Sequence, residues 1–233
     1  MKAILLFLLS FCLSACVSIS TSTSLKKFED QIAIAQKPWL QSGLLMSERI
    51  EKKFGSFGVE VLSQDEHKGI RLANLYSKED KNKVTRVIAL TKYENPIDKK
   101  LMQAHTEILA GGSIGATLAK NGFSIKKQVF FKGKLDHTPV RLDSLMGSKN
   151  STYTTVMYEL IAQKEKDSLP YCSITEVYSP QFLTMAELDL IYSDSGLHKI
   201  QGNVRESFIA NTSSATKIQE NISFLKEALL IKQ

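Results

Sequence analysis

Residues 84–93 (VTRVIALTKY) and 169–178 (LPYCSITEVY) decide the fold, because both are rich in β-branched and aromatic residues that favour strands. Turn-forming residues bound each stretch, with Asn95-Pro96 after the first and Pro180 shortly after the second. Both stretches therefore predict strands. Two charged residues, Arg86 and Glu176, stand among the apolar residues of these strands.

Four further strands follow from patterns of the same kind elsewhere in the chain. They are predicted at residues 57–61, 70–76, 123–131 and 153–162. Turns are predicted at 65–69 and 78–82, and a charged hairpin loop at 163–170. Consecutive strands joined by short turns predict an antiparallel sheet.

Helical patterns are grouped apart from the strands. Residues 44–54 precede Gly55, residues 97–110 precede Gly111-Gly112, and a short helix after Ser113 ends at Asn121-Gly122. A helix over residues 25–35, a strand at 200–208 and a final amphipathic helix complete the pattern. That last helix has Ile218, Ile222, Leu225 and Leu229 on one face, and we expect this face to pack on the domain. The predicted fold class is α+β, an antiparallel sheet with helices grouped as flaps and a C-terminal helical extension.

The N-terminus has the organisation of an export signal. Lys2 precedes an apolar run at residues 3–13, which is shorter than the ~20 residues that cross a bilayer. The following Leu13-Ser14-Ala15-Cys16 resembles the lipobox of bacterial lipoproteins. The resemblance implies cleavage before Cys16 and membrane attachment through acyl chains on that cysteine. The alternative is an ordinary secretory signal with Cys16 incidental.

Removing residues 1–15 from the 233 encoded leaves 218, enough for a domain with its own core. Of the three cysteines, Cys12 leaves with the signal and Cys16 takes lipid, so Cys172 has no intramolecular disulfide partner. Residues 16–36 form the lipidated cysteine, a Ser/Thr-rich tether and the short helix. Residues 37–182 form the main domain, and residues 183–233 form the extension.

Composition excludes several classes of function. The formal charge of +6 comes from lysines scattered among acids, without the aromatic-interleaved basic stripe of a nucleic-acid binder. The four histidines lack ligand spacing, so we expect no metal and no other cofactor. Gly111–Gly115 has neither the lysine of a P-loop nor the preceding strand of a dinucleotide fingerprint. The positive surplus instead suits an anionic membrane or a small anionic ligand.

Four segments, in the same order along the chain, resemble chorismate lyases over residues 37–182. They are residues 37–62 (KPWLQSGLLMSERIEKKFGSFGVEVL), the strand 86–90 (RVIAL), the small-residue segment 112–118 (GSIGATL), and the closing strand 169–178, followed by Pro180. The same fold, also called UTRA, serves as the effector-binding domain of some transcription regulators, so it does not decide the function.

The resemblance also implies roles for individual residues. Arg86 would bind a ligand carboxylate and Glu176 would handle the proton, as the catalytic pair of an active enzyme. Ile114 would supply a backbone contact and Met46 part of the apolar lining. Alternatively, Arg86 and Glu176 pair with each other as a structural ion pair, or they face solvent.

Three departures weaken the expectation of catalysis. Residues 94–107 are charged and helical where the family has an apolar strand, the chain continues some fifty residues past the family's end, and the domain is exported away from a cytosolic substrate.

The sequence therefore favours a lipid-anchored protein that binds a small anionic, aromatic carboxylate. A chorismate-cleaving lyase releasing 4-hydroxybenzoate is the second hypothesis, and a structural envelope lipoprotein with an unknown protein partner is the third. Val17 replaces the aspartate that retains lipoproteins on the inner membrane of enteric bacteria, which favours the outer membrane, facing the periplasm.

The anchor hypothesis predicts that Cys16→Ser yields uncleaved precursor or a released, exported form, because the acyl chains provide the membrane affinity. Metabolic labelling with palmitate and fractionation of membranes measure this. Normal labelling and membrane retention of the variant would contradict the hypothesis.

Overall fold

The computed structural model describes residues 36–136, 140–147, 152–192 and 212–230, together with residues 25, 29 and 32. The chain divides into two compact units, Met1–Gln41 and Ser42–Gln233. In the first unit the described residues 25, 29, 32 and 36 are helical, and Pro38–Leu40 form a turn of 3-10 helix. The predicted signal peptide, Cys16, the tether and the strand at 200–208 lie outside the described residues.

Six antiparallel strands form one sheet in the second unit, in the order β1-β2-β3-β6-β5-β4. This arrangement confirms the predicted antiparallel sheet. The strands of residues 84–93 and 169–178 are the two central ones and pair with each other, so that Ala89 lies opposite Glu176. The strands are β1 (Gly58–Asp65), β2 (Ile70–Glu79), β3 (Asn82–Tyr93), β4 (Ser124–Asp136), β5 (Thr152–Lys164) and β6 (Asp167–Tyr178).

Helices cover the sheet on both faces. No helix among the described residues is both long and apolar enough to span a membrane. The α-helices are α1 (Met46–Phe54), α2 (Met102–Leu109), α3 (Ile114–Lys120), α4 (Val140–Met146), α5 (Met185–Ile191) and α6 (Thr212–Leu230). A 3-10 turn at Lys99–Leu101 leads into α2.

One face of the sheet is a continuous hydrophobic core beneath α4 and α6. Because side chains alternate along a strand, Leu72, Ile88, Leu90 and Val177 all point to this face. The predicted stripe of α6 packs against them, which confirms that its apolar face belongs to the domain. Asn221 adds a polar tie, since its Oδ1 accepts a hydrogen bond from Thr175 Oγ1 at 3.3 Å.

The opposite face lies beneath α1 and α3, whose N-terminal ends approach one another. A Cβ on Gly115 would lie 3.1 Å from Leu45 Cδ2, so the two segments already touch. Helix α1 ends at Gly55 as predicted, because Gly55 has φ of +75° and donates to Glu51 O. This face holds the polar residues that the sequence singles out.

Several predicted boundaries differ from the structure, and two helices were not predicted. Strands β5 and β6 continue almost to a tight turn at Glu165, which has φ of +57°, so the predicted loop at 163–170 is largely strand. The helix predicted at 97–110 is shortened to Met102–Leu109 by the preceding 3-10 turn. Helices α4 and α5 were not predicted, because each has only seven residues and too few turns to show a periodic pattern.

The core beneath α6 predicts different effects for two leucines of that helix. Leu225→Ala should lower the free energy of unfolding by about 2–5 kcal/mol, because Leu225 is 1% exposed and its removal leaves a cavity. Leu230→Ala is the matched control and should cost less than about 0.5 kcal/mol, since Leu230 is 74% exposed. Denaturant titration measures both values, and equal losses would show that α6 does not pack as described.

Candidate functional site

A cavity of about 70 Å³ lies between the sheet and the N-terminal ends of α1 and α3. Strands from both halves of the sheet contribute to its wall, and most of the wall is apolar. A few polar side chains in an otherwise apolar, concave site are typical of small-molecule binding. The polar residues with long side chains in the lining are Arg71, Lys127, Tyr158 and Glu176.

Three of the four predicted ligand-binding residues line this one cavity. Met46 opens α1, Ile114 opens α3, and Glu176 lies on the central strand β6. Arg86, the fourth, is not among the lining residues. The structure thus brings together residues 46, 114 and 176 and separates Arg86 from them.

Arg71 is the buried cation of the cavity wall. It is 2% exposed, and its Nη2 donates a hydrogen bond to Gly112 O at 2.9 Å. Its Nε is buried without a hydrogen-bond partner, and within the described parts of the chain no carboxylate lies within 4.0 Å of the guanidinium. A buried charge normally has a partner that compensates for its desolvation. The guanidinium therefore has capacity left for an anion.

Gly112 holds Arg71 in place because its backbone lies very close to its neighbours. A Cβ at this position would lie 2.7 Å from Thr117 Oγ1 and 2.9 Å from Glu107 O. Only glycine therefore permits the approach that presents the Gly112 carbonyl to the guanidinium. The glycine pair noted in the sequence has a structural role here, beside the cavity.

Glu176 is buried at 3% exposure and accepts two hydrogen bonds from phenols. Tyr158 OH donates to Oε1 at 2.9 Å, and Tyr178 OH donates to Oε2 at 2.5 Å. The register explains this geometry: Tyr178 lies two residues along on the same face of β6, and Tyr158 lies on the neighbouring strand. A carboxylate has about four acceptor positions, so this one can accept further donors.

The two phenols remain protonated over the physiological range. Burial raises the pKa of Tyr158 and that of Tyr178 well above the usual value, and the charge of Glu176 raises both further. Each hydroxyl is therefore a hydrogen-bond donor at neutral pH. The tyrosines fix the position of the Glu176 carboxylate.

Lys127 is the second cation of the wall, and it is partly buried. Its Nζ lies 4.4 Å from the centroid of the Tyr158 ring and 3.5 Å from Tyr192 OH. Burial alone would lower the pKa of Lys127, but attraction to Glu176 and to Tyr192 outweighs it, and the net direction is upward. Lys127 is therefore positively charged, and the carboxylate of Glu176 balances its charge. Arg71 has no such carboxylate among the described residues.

Arg86 is buried at a different place, in a network of its own. Its Nη2 pairs with Glu79, its Nε donates to Ser77 Oγ at 2.8 Å, and its guanidinium stacks 3.6 Å from the centroid of the Phe54 ring. Burial lowers the pKa of Arg86, and the charge of Glu79 partly offsets this effect. Its partner is therefore Glu79, and neither Glu176 nor solvent occupies that role.

The structure gives the other reactive side chains, Cys172 and His105, roles in packing. Cys172 is a buried free thiol, as predicted, and burial raises its pKa well above the usual value. His105 Nδ1 lies 2.9 Å from Tyr171 OH, which gives this histidine a structural partner. Within the described part of the chain, no three metal-ligating side chains converge.

The network around Arg86 predicts a stability effect. Arg86→Ala should lower the free energy of unfolding by about 2 kcal/mol or more, because the stack on Phe54 is lost and Ser77 Oγ loses its donor. Lys83→Ala on the same strand is the control, since its pair with Glu60 is exposed and the substitution should lower the free energy of unfolding much less. Urea titration gives both values. An unaltered Arg86→Ala midpoint would contradict a structural role.

Comparison with known proteins gives limited similarity. No protein-family model and no curated protein matches the chain. The crystal structure of PhnF from Mycobacterium smegmatis is similar over 60% of this chain and 66% of that chain, just under two thirds of its length, with 14% identity and a TM-score of 0.39. The crystal structure of the effector domain of PhnF is similar over 61% of this chain and 94% of that domain, with 13% identity and a TM-score of 0.37. At this level of similarity, the site is interpreted from its own geometry.

Proposed function

We propose that the unit Ser42–Gln233 is a binding domain for a small carboxylate ligand, held in the cavity between the sheet and α1 and α3. The observation that carries the proposal is the buried guanidinium of Arg71, which lines the cavity and has no acidic partner among the described residues. A bound anion would provide the compensating charge. A guanidinium recognises a planar carboxylate well, because its donors match the two oxygens.

The charges of the wall would also orient the ligand. An anionic group is attracted to Arg71, whereas at the other pole the charges of Lys127 and Glu176 oppose each other. Lys127 is already matched by Glu176, so it adds little net attraction for an anion. A hydroxyl on the far end of the ligand could donate to the acceptor capacity left on Glu176. The site therefore suits a carboxylate with an apolar body and a polar far end.

A small aromatic carboxylate such as 4-hydroxybenzoate has this pattern. The chorismate lyase-like sequence pattern over residues 37–182 implies the same class of ligand, and Met46, Ile114 and Glu176 from that pattern all line the cavity. We assign the carboxylate-binding role to Arg71, in place of the Arg86 that the sequence pattern suggested.

The proposal predicts that 4-hydroxybenzoate binds the purified protein and that Arg71→Met weakens binding at least about thirtyfold, by loss of a desolvated charge partner. Arg71→Lys should restore only part of the affinity, because an ammonium lacks the two-point geometry. Isothermal titration calorimetry measures the dissociation constants.

Arg86→Ala is the matched control, since it removes a second buried arginine outside the cavity. Its folded fraction should bind 4-hydroxybenzoate with affinity close to that of the unaltered protein. Loss of binding in Arg86→Ala together with normal binding in Arg71→Met would reverse the assignment of the two arginines.

A chorismate-cleaving lyase is the second candidate, favoured by the enclosure of Glu176 in the same cavity. Protonation of a departing enolpyruvyl ether needs an acid, whereas Glu176 is placed as the acceptor of two phenol hydrogen bonds. We therefore expect little or no release of 4-hydroxybenzoate from chorismate, as followed by chromatography. Steady turnover that disappears in Glu176→Gln would establish the lyase instead.

We also propose that the domain is tethered to the bacterial envelope by lipid on Cys16, with the outer membrane favoured. The support is the sequence around Cys16 and the identity of Val17. A purely structural role through the C-terminal helix has less support, because the apolar stripe of α6 packs into the core of the domain. Binding of a small ligand is the function that the site supports best, and attachment to the envelope rests on the sequence around Cys16.

A further inference from the structure

We propose that the hydroxyl of Thr91 is a second donor to the anionic group that Arg71 holds, so that strands β2 and β3 together form the anion-binding pole of the cavity. The inference rests on the proposed function and adds a ligand-binding residue to its site. Neither the residue nor its role follows from the sequence pattern of residues 37–182.

Thr91 lies directly opposite Arg71 on the neighbouring strand. The register of β2 and β3 pairs the two residues, and both line the cavity. Directly paired residues on one face of an antiparallel sheet have Cβ atoms about 4.5–5.5 Å apart. The hydroxyl of Thr91 and the side chain of Arg71 are therefore neighbours on the same wall.

The charge of Arg71 acts on the side of the sheet where Thr91 lies. Burial raises the pKa of Tyr93 and that of Cys172, and the positive charge of Arg71 opposes this effect at both groups. Tyr93 follows Thr91 by two residues on β3, and Cys172 lies opposite Tyr93 on β6. Both groups lie beyond β2 in the direction of β6, as Thr91 does. An anion that approaches the guanidinium from the cavity therefore also approaches Thr91.

The hydroxyl of Thr91 is buried and has no hydrogen bond of its own. Thr91 is 2% exposed, and within the described part of the chain its hydroxyl has no hydrogen-bond partner. Burial of a hydroxyl without a hydrogen bond costs free energy. Valine would fill the same volume at this position without that cost. The hydroxyl of Thr91 is thus available to a group in the cavity.

The other hydroxyl groups of the lining differ from Thr91 in burial or in bonding. Ser47 and Ser113 are only half-buried, so water can satisfy them. Tyr158 is buried, but its OH already donates to Glu176 Oε1 at 2.9 Å. Among the lining residues that the structure describes, the buried hydroxyl without a hydrogen bond belongs to Thr91, beside the cation that has no acidic partner.

One anion has room for donors from both strands. The Arg71 Nη2 already donates to Gly112 O, which leaves the guanidinium with fewer free donors than its five N–H groups would offer. A carboxylate has about four acceptor positions, so it can accept from the guanidinium and from a hydroxyl together. A hydrogen bond to a charged acceptor is stronger than one between neutral groups. Thr91 would therefore contribute substantially to affinity.

The first experiment removes the hydroxyl and keeps the shape of the side chain. Thr91→Val should bind 4-hydroxybenzoate at least about tenfold more weakly by calorimetry, because a hydrogen bond to a charged group is lost. Its melting temperature without ligand should stay equal or rise, since a buried hydroxyl without a partner is replaced by a methyl group. Thr85→Val is the matched control: Thr85 is buried on the same strand but does not line the cavity, so affinity should be unaltered. Unaltered affinity in folded Thr91→Val would overturn the inference.

A second pair of variants separates the hydroxyl from the methyl group of Thr91. Thr91→Ser keeps the hydroxyl, and Thr91→Ala lacks both groups. The serine variant should bind 4-hydroxybenzoate at least about tenfold more tightly than the alanine variant. Equal affinities of these two variants would overturn the inference, and the comparison holds even if Thr91→Val does not fold.

The third measurement identifies the end of the ligand that Thr91 contacts. Benzoate and 4-hydroxybenzoate share the carboxylate, so Thr91→Val should weaken both by the same factor. A loss confined to 4-hydroxybenzoate would place Thr91 at the hydroxyl end and overturn the inference. If Arg71→Met loses binding while Thr91→Val does not, the inference fails and the proposed function stands. If the unaltered protein binds neither compound, the proposed function fails, and the inference fails with it.

Discussion

The buried guanidinium of Arg71, which has no acidic partner among the described residues, is the interaction on which the interpretation of this domain depends. Arg71 lies on a sheet whose other face is a packed apolar core, and it is held by the Gly112 carbonyl. Its burial costs free energy that the described residues do not compensate with a counter-charge. Proteins retain such costs where function requires them, so the proposed ligand site is centred on this guanidinium.

The packed core and the candidate site lie on opposite faces of the sheet. Successive side chains of one strand point to opposite faces, so Leu72 and Leu90 belong to the core while Arg71 and Ala73 belong to the cavity. Helix α6 supplies the large apolar surface that one face needs. Because the apolar core lies on that face, the opposite face can have small and polar residues at its centre.

The sequence predicted the sheet, the antiparallel pairing and the terminal helix, because each depends on patterns within continuous segments and on the turns between them. It also identified Met46, Ile114 and Glu176, which the fold gathers at one cavity. It did not identify Arg71. Both Arg71 and Arg86 are single arginines among apolar strand residues, and nothing local distinguishes an arginine with an acidic neighbour from one without.

The difference between these two arginines arises only from pairing across strands. Arg86 is close to the hairpin that joins β2 to β3, where the exposed end of β2 provides Glu79 as a partner. Arg71 lies at the opposite end of β2, where the neighbouring strand presents Thr91 and Tyr93, and the described part of the approaching loop offers the Gly112 carbonyl. The register of one hairpin therefore determines which cation is structural and which remains available. The same register places Arg71 and Ala73 on the face of the candidate site. A change in the β2–β3 turn that shifted β2 by one residue against β3 would turn Arg71 and Ala73 to the core face.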